Sequence, residues 1–218
     1  MDPITQSLKD YYAKTFQQHG ATAKGVDWGD EQELLVRYDK MLGVVQKDFM
    51  PPAPKLSMLD VGCGWGGLLK RANDLKLPIN YTGIDVVQSM TDHGNASFPG
   101  ARFVHGDVFE MPDVETYDFV VCNAILTQKL SVSNIDMERY SRELVKKMFA
   151  LCKHGIAYNM MSTRVNFMVG NLYYQNPVEM LSWLLTEVSP RVRFDHGYSS
   201  LANGKGKFYD FTVYVYKG

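Results

Sequence analysis

The sequence predicts an α/β fold: a doubly wound, mostly parallel sheet of seven strands with an antiparallel carboxyl-terminal strand, preceded by an amino-terminal helical cap. Three observations predict it. Short apolar runs alternate with amphipathic stretches from Leu56 to Met161, a glycine cluster stands where the first run gives way to a helix, and the chain ends in two strand-like runs separated by a glycine-rich segment.

In chain order, residues 4–18 and 30–49 read as helices. In the second, Leu34, Leu35, Tyr38, Met41, Leu42, Val45 and Phe49 recur at helical spacing behind Asp30 as a cap. Pro51, Pro52 and Pro54 stop that helix, because proline lacks an N–H and restricts its predecessor. Leu56 to Val61 reads as a strand, Trp65 to Leu75 as a helix, Ile79 to Ile84 as a strand and Val87 to Ser97 as a helix. Strands follow at Ala101 to His105 and Tyr117 to Cys122, then a helix at Met137 to Leu151 and a fifth strand at Gly155 to Met161. Crossover helices between these strands require parallel pairing. Pro177 to Val188 reads as a helix, and Arg191 to His196 and Phe208 to Lys217 as strands joined through Ser199 to Gly206, hence antiparallel neighbours.

A chain of 218 residues that is 45% apolar fits one domain over residues 1–218, with the cap at 1–50 and the core at 55–218. Net charge is −1 with both signs interspersed, which argues against a nucleic-acid or membrane-surface partner and for a small molecule. Cys63, Cys122 and Cys152 form no C-x-x-C pair, as expected of reduced thiols in a cytoplasmic protein. The first residues lack a basic stretch followed by an apolar core, so neither secretion nor membrane insertion is predicted.

In open α/β sheets ligands sit beyond the carboxyl ends of the strands near the switch point, so the residues ending each strand are the site candidates. Asp60 precedes Gly62, Gly64 and Gly67, and its carboxylate is expected to accept loop N–H bonds and hold the turn. The glycines allow a tight turn and close backbone approach, and they satisfy G-x-G-x-x-G, a pattern shared with dinucleotide sites. Asp85 ends the second strand, Asp107 and Val108 follow the third, and Asn123 follows the fourth.

These residues resemble the motifs of the Rossmann-like S-adenosylmethionine-dependent methyltransferases of the small-molecule type. Asp60-Val61-Gly62-Cys63-Gly64-Trp65-Gly66 is similar to their first motif, Asp85 to their ribose-binding acid, Gly106-Asp107-Val108 to their adenine motif and Tyr117 to Asn123 to their fourth. The resemblance spans about residues 55–161, and its strength lies in four motifs occurring in order at strand-helix spacing. It implies S-adenosylmethionine as cofactor, with Gly62 and Gly64 at its amino acid portion, Asp85 at the ribose, Asp107 and Val108 at the adenine and Asn123 near the reacting end. Arg37, on the second helix after Trp28, is added as a partner for the cofactor carboxylate.

Each residue also has a plainer reading. The glycines shape a turn, Asp85 and Asp107 cap helices, Asn123 satisfies loop backbone and Arg37 is a solvated helix residue. Methyl transfer from a sulfonium needs alignment more than a catalytic group, so none of His19, His93, His105, His154 and His196 is assigned as a base. No metal is expected, because Asn123 stands where a carboxylate cluster would be needed. The acceptor is a small metabolite methylated on oxygen or nitrogen, and aromatic residues crowd the carboxyl-terminal third. Ser162 to Asn176, with Arg164, Tyr173 and Tyr174, is the segment expected to meet it. The rivals are a nicotinamide-dependent reductase, which Asp107 does not suit, and a catalytically silent protein that keeps the cofactor fold.

Overall fold

The computed structural model describes residues 2–45, 55–198 and 209–218. The proline joint and the whole of the Ser199 to Gly206 loop of the sequence reading therefore lie outside the described residues, as does Phe49. Helices α1 (Pro3–His19) and α2 (Glu31–Leu42) come first, with one turn of 3-10 helix at Lys24–Val26 between them. There follow β1 (Leu56–Val61), α3 (Gly67–Asp74), β2 (Ile79–Asp85), α4 (Gln88–Ser97), β3 (Arg102–His105) and β4 (Tyr117–Cys122). The chain continues as α5 (Asn134–Leu151), β5 (Cys152–Ser162), β6 (Tyr174–Gln175), α6 (Pro177–Glu187), β7 (Val192–Asp195) and β8 (Asp210–Tyr216).

The strands form one sheet in the order β3-β2-β1-β4-β5-β8-β7, with β6 beside the end of β5. All pairs are parallel except those of β8, which runs antiparallel to both β5 and β7. The seven strands expected from the sequence are present, with the carboxyl-terminal strand antiparallel. An eighth strand appears because Tyr174 and Gln175, inside a segment read as irregular, pair with Met161 and Ser162.

Strand alternation divides the core into two layers, since successive side chains point to opposite faces. Leu59, Val61, Val120, Cys122, Ile156, Tyr158, Phe211 and Val213 pack one face with α5, α6 and the Ile4 and Leu8 side chains of α1. Met58, Tyr81, Phe119, Val121, Ala157, Tyr214 and Tyr216 pack the other with α3 and with Leu34, Tyr38, Met41 and Leu42 of α2. The two amino-terminal helices thus enter opposite layers of the core. Both still reach the carboxyl ends of the strands.

Several boundaries move for local reasons. α2 stops at Leu42, where the Gly43 N–H closes the last turn onto Asp39 and Lys40 carbonyls. α5 begins at Asn134, before its apolar periodicity does, because Ser133 Oγ accepts from the Asp136 N–H. Tyr173 is buried in the first layer and its hydroxyl donates to Gln175, so it serves packing and is no longer open to an acceptor.

Candidate functional site

The ends of β3, β2, β1 and β4, neighbours in the sheet, converge on one pocket of about 910 Å³ of empty space, its open mouth included. β1 contributes Asp60 through Gly64, β2 contributes Ile84 through Val87, β3 contributes Gly106 through Val108, and β4 contributes Asn123 through Ile125. Across from them stand Thr5, Leu8 and Tyr12 of α1, Val26 and Trp28 of the connecting loop, and Leu34 and Tyr38 of α2. Asp60, Gly62, Gly64, Asp85, Asp107, Val108 and Asn123 of the sequence reading are all brought together here.

The glycine loop has the backbone that its composition requires. Gly62 and Gly64 adopt φ of 69° and 54°, a region that side chains rarely enter. A Cβ on Gly62 would also collide with Ile125, and one on Gly64 would sit 3.1 Å from Val26 Cγ1. Gly66, rather than Gly67, is the third glycine in this conformation, at φ 94°, and serves as N-cap of α3.

The carboxylates differ from expectation in what they hold. Asp85, and not Asp60, clasps the glycine loop: its Oδ2 accepts the Gly64 N–H at 2.8 Å and its Oδ1 the Val87 N–H at 2.8 Å. Asp60 instead accepts from the Tyr81 hydroxyl at 2.6 Å, within the sheet. The reason is strand geometry. Asp60 lies opposite Gly83 in the β1–β2 register and Met58 opposite Tyr81, so the Tyr81 ring reaches diagonally across the space that Gly83 leaves. Burial pushes the Asp60 carboxyl up to about 7, with the Tyr81 hydrogen bond opposing and the Asp85 charge reinforcing the rise. Burial also raises Asp85, against the two amides it accepts. Asp107 is raised by burial too, opposed by the Phe109 N–H that its Oδ1 accepts at 3.1 Å, so the capping reading holds for it.

Asn123 lines the pocket with its Oδ1 buried and without a partner, while the next N–H, of Ala124, donates to Asn159 Oδ1 at 2.8 Å. Arg37 is not brought to the glycine loop. Its Nε donates to Asp210 Oδ2 at 2.5 Å, its Nη1 to the Glu33 carbonyl at 2.9 Å, and its plane lies 3.9 Å from the Trp28 ring centroid. It is buried in a neighbouring recess, because a charged group this deep in the fold needs an opposite charge and Asp210 on β8 supplies it. None of the five histidines lines the pocket.

Among the described residues, three carboxylates and no lysine or arginine line this pocket. Such a site suits a ligand carrying hydroxyls, N–H groups and positive charge. It opposes a dinucleotide pyrophosphate, which would meet Asp60, Asp85 and Asp107 without a counter-charge. Sequence reasoning missed Thr5, Leu8, Tyr12, Leu34 and Tyr38, whose spacing on α1 and α2 signals only an apolar face.

Residues 58–155 match the family model described as methyltransferase domain. Over those residues the chain is similar to a methyltransferase domain. The curated protein "Putative methyltransferase Rv1506c" of Mycobacterium tuberculosis is 25% identical over 167 residues, covering 76% of this chain and 95% of that protein. The fold is similar to that of magnesium protoporphyrin IX methyltransferase from Synechocystis PCC 6803, solved with bound SAM. That likeness has 14% identity and a TM-score of 0.67 over 100% of this chain and 99% of the other. It is also similar to the plantazolicin methyltransferase BpumL, solved in complex with a pentazolic desmethylPZN analog and SAH, at 14% identity and a TM-score of 0.64 over 98% of each chain. No helix among the described residues is long and apolar enough to cross a membrane.

Proposed function

We propose that this chain is an S-adenosylmethionine-dependent methyltransferase that acts in the cytoplasm on an oxygen or nitrogen of a small metabolite, with residues 1–50 covering the cofactor held by the core at 55–218. In this reading Gly62 and Gly64 let the backbone approach the cofactor's amino acid portion. Asp85 accepts from the two ribose hydroxyls, since each of its oxygens has a second acceptor position beyond the amide it already holds. Asp107 and Val108 meet the adenine, and the unpartnered Asn123 Oδ1 faces the reacting end. Asp60 acts one step back, through Tyr81 and the strand.

The carrying observation is the anionic, glycine-floored cradle formed by four adjacent strand ends. When bound, the cofactor supplies a methyl group on a sulfonium, an electrophile already activated for transfer. The chain's own task is to align the acceptor and keep water out, and Thr5, Leu8 and Tyr12 on α1 form the wall that does so. No side chain is assigned as a base.

Calorimetric titration with S-adenosylhomocysteine tests the ribose assignment. Asp85→Ala removes both the ribose acceptor and the loop clasp and is expected to weaken binding about tenfold or more, the equivalent of one charge-assisted hydrogen bond. Unchanged affinity in a folded variant removes Asp85 from the site.

A further inference from the structure

A second recess opens beside the cofactor pocket. Tyr12, Val26, Trp28 and Ala124 line both, so the two spaces share a wall. The recess has about 730 Å³ of empty space, mouth included, and among the described residues holds Asp27, Glu33 and Asp210 against the cation Arg37.

That cation is engaged by Asp210 Oδ2, the Glu33 carbonyl and the Trp28 face. Asp27 is occupied as well, since its Oδ2 accepts from Gln128 Nε2 at 2.6 Å. Asp210 is not. Its side chain is 1% exposed, it lines the recess, and its Oδ1 is buried without a hydrogen-bond partner. Leaving a buried carboxylate oxygen without a donor costs more than an ordinary hydrogen bond returns, so this oxygen favours an occupant that donates to it. Glu33, at the partly exposed side, has no ion pair among the described residues and adds a second negative charge. Among the described residues no three His, Cys, Asp or Glu side chains converge as a metal cage does, which turns the choice to an organic cation.

We propose that this recess is the acceptor site, and that the acceptor it selects is a small molecule carrying a protonated amine. The ammonium donates to Asp210 Oδ1, Glu33 contributes field, and the apolar body lies against Tyr12 and Met161 on the way to the shared wall. The assignment as an acceptor site rests on the reading of the adjacent pocket as the cofactor site.

Three matched probes test it by calorimetry, on protein alone and on protein saturated with S-adenosylhomocysteine: 2-phenylethylamine, 2-phenylethanol and 3-phenylpropionate. The amine is expected to bind about tenfold or more tighter than the alcohol, as a charge-assisted hydrogen bond implies, and the carboxylate weakest of the three. In Asp210→Asn the amine preference should largely vanish while S-adenosylhomocysteine affinity stays as in the wild type. Because that change strips Arg37 of its buried partner and can unfold the chain, Glu33→Gln provides the second arm, with the preference expected to fall about threefold. An alcohol or carboxylate that binds as well as the amine, no amine binding at all, or a preference that survives in a folded Asp210→Asn protein overturns the proposal. S-adenosylhomocysteine binding without amine preference sinks the amine site alone. Failure of S-adenosylhomocysteine to bind the wild type instead sinks the cofactor reading, and with it the assignment of the recess to an acceptor.

Discussion

Asp60 and Asp85 are both buried, both raised and close enough to influence one another, yet they do different work. Asp85 ties the glycine loop to the start of α4, which presets the backbone that the ligand meets. Asp60 holds the β1–β2 seam through Tyr81, and its elevated carboxyl pKa of about 7 has a pH signature. Below about pH 4 the residue is protonated in the folded and unfolded chain alike. Between about 4 and 7 the folded state binds more protons, so stability falls as pH rises, and above 7 the penalty is constant. Urea midpoints measured from pH 4 to 8 should therefore decline more steeply in the wild type than in Asp60→Asn, whose amide oxygen still accepts from Tyr81. Parallel curves for the two proteins would rule out Asp60 as the source. That two acids flank the glycine loop is legible in the sequence. Which one clasps it is not, because the choice depends on strand register and on the gap at Gly83.

Helix starts in this chain are set by caps more than by periodicity. Asp2, Asp30, Ser133 and Asn176 each accept a backbone N–H at the head of α1, α2, α5 and α6. Ser133 also donates to Asp136 Oδ2 at 2.6 Å, so the side chain is used twice. Ser133→Ala is expected to cost about 1 kcal/mol of stability, read as a lower urea midpoint with unchanged cofactor affinity. A variant as stable as the wild type would mean that water replaces the cap without loss. The apolar spacing from Met137 located α5 correctly but started it three residues late, since a cap and first turn carry no apolar requirement. β6 escaped for the opposite reason. Two residues have no detectable period, and their strand character comes entirely from the neighbouring end of β5.

Across the molecule, residues as distant as Thr5 and Leu144 line one pocket, so ligand binding ties α1 to four strand ends at once. A ligand that binds only the folded state stabilises it by mass action, about 2.7 kcal/mol at 100 times its dissociation constant. S-adenosylhomocysteine should thus raise the melting temperature and slow amide exchange in α1 and at 62–67, while α6 and β7, away from the pocket, gain only the global share. Protection confined to 62–67, with α1 unchanged, would show that α1 does not cover the ligand.

The sequence by itself determined the alternation of strands and helices, the sheet's antiparallel close and the order of motifs that resembles that of the methyltransferases. These follow from local rules: apolar period, glycine at left-handed backbone, acids at strand ends. Only the tertiary structure decided the partners of the charged groups. Arg37 was placed by sequence at the cofactor carboxylate, yet it pairs with Asp210, 173 positions away on β8. No local pattern encodes that pairing, because a buried charge is settled by whichever opposite charge the packed layers bring beside it.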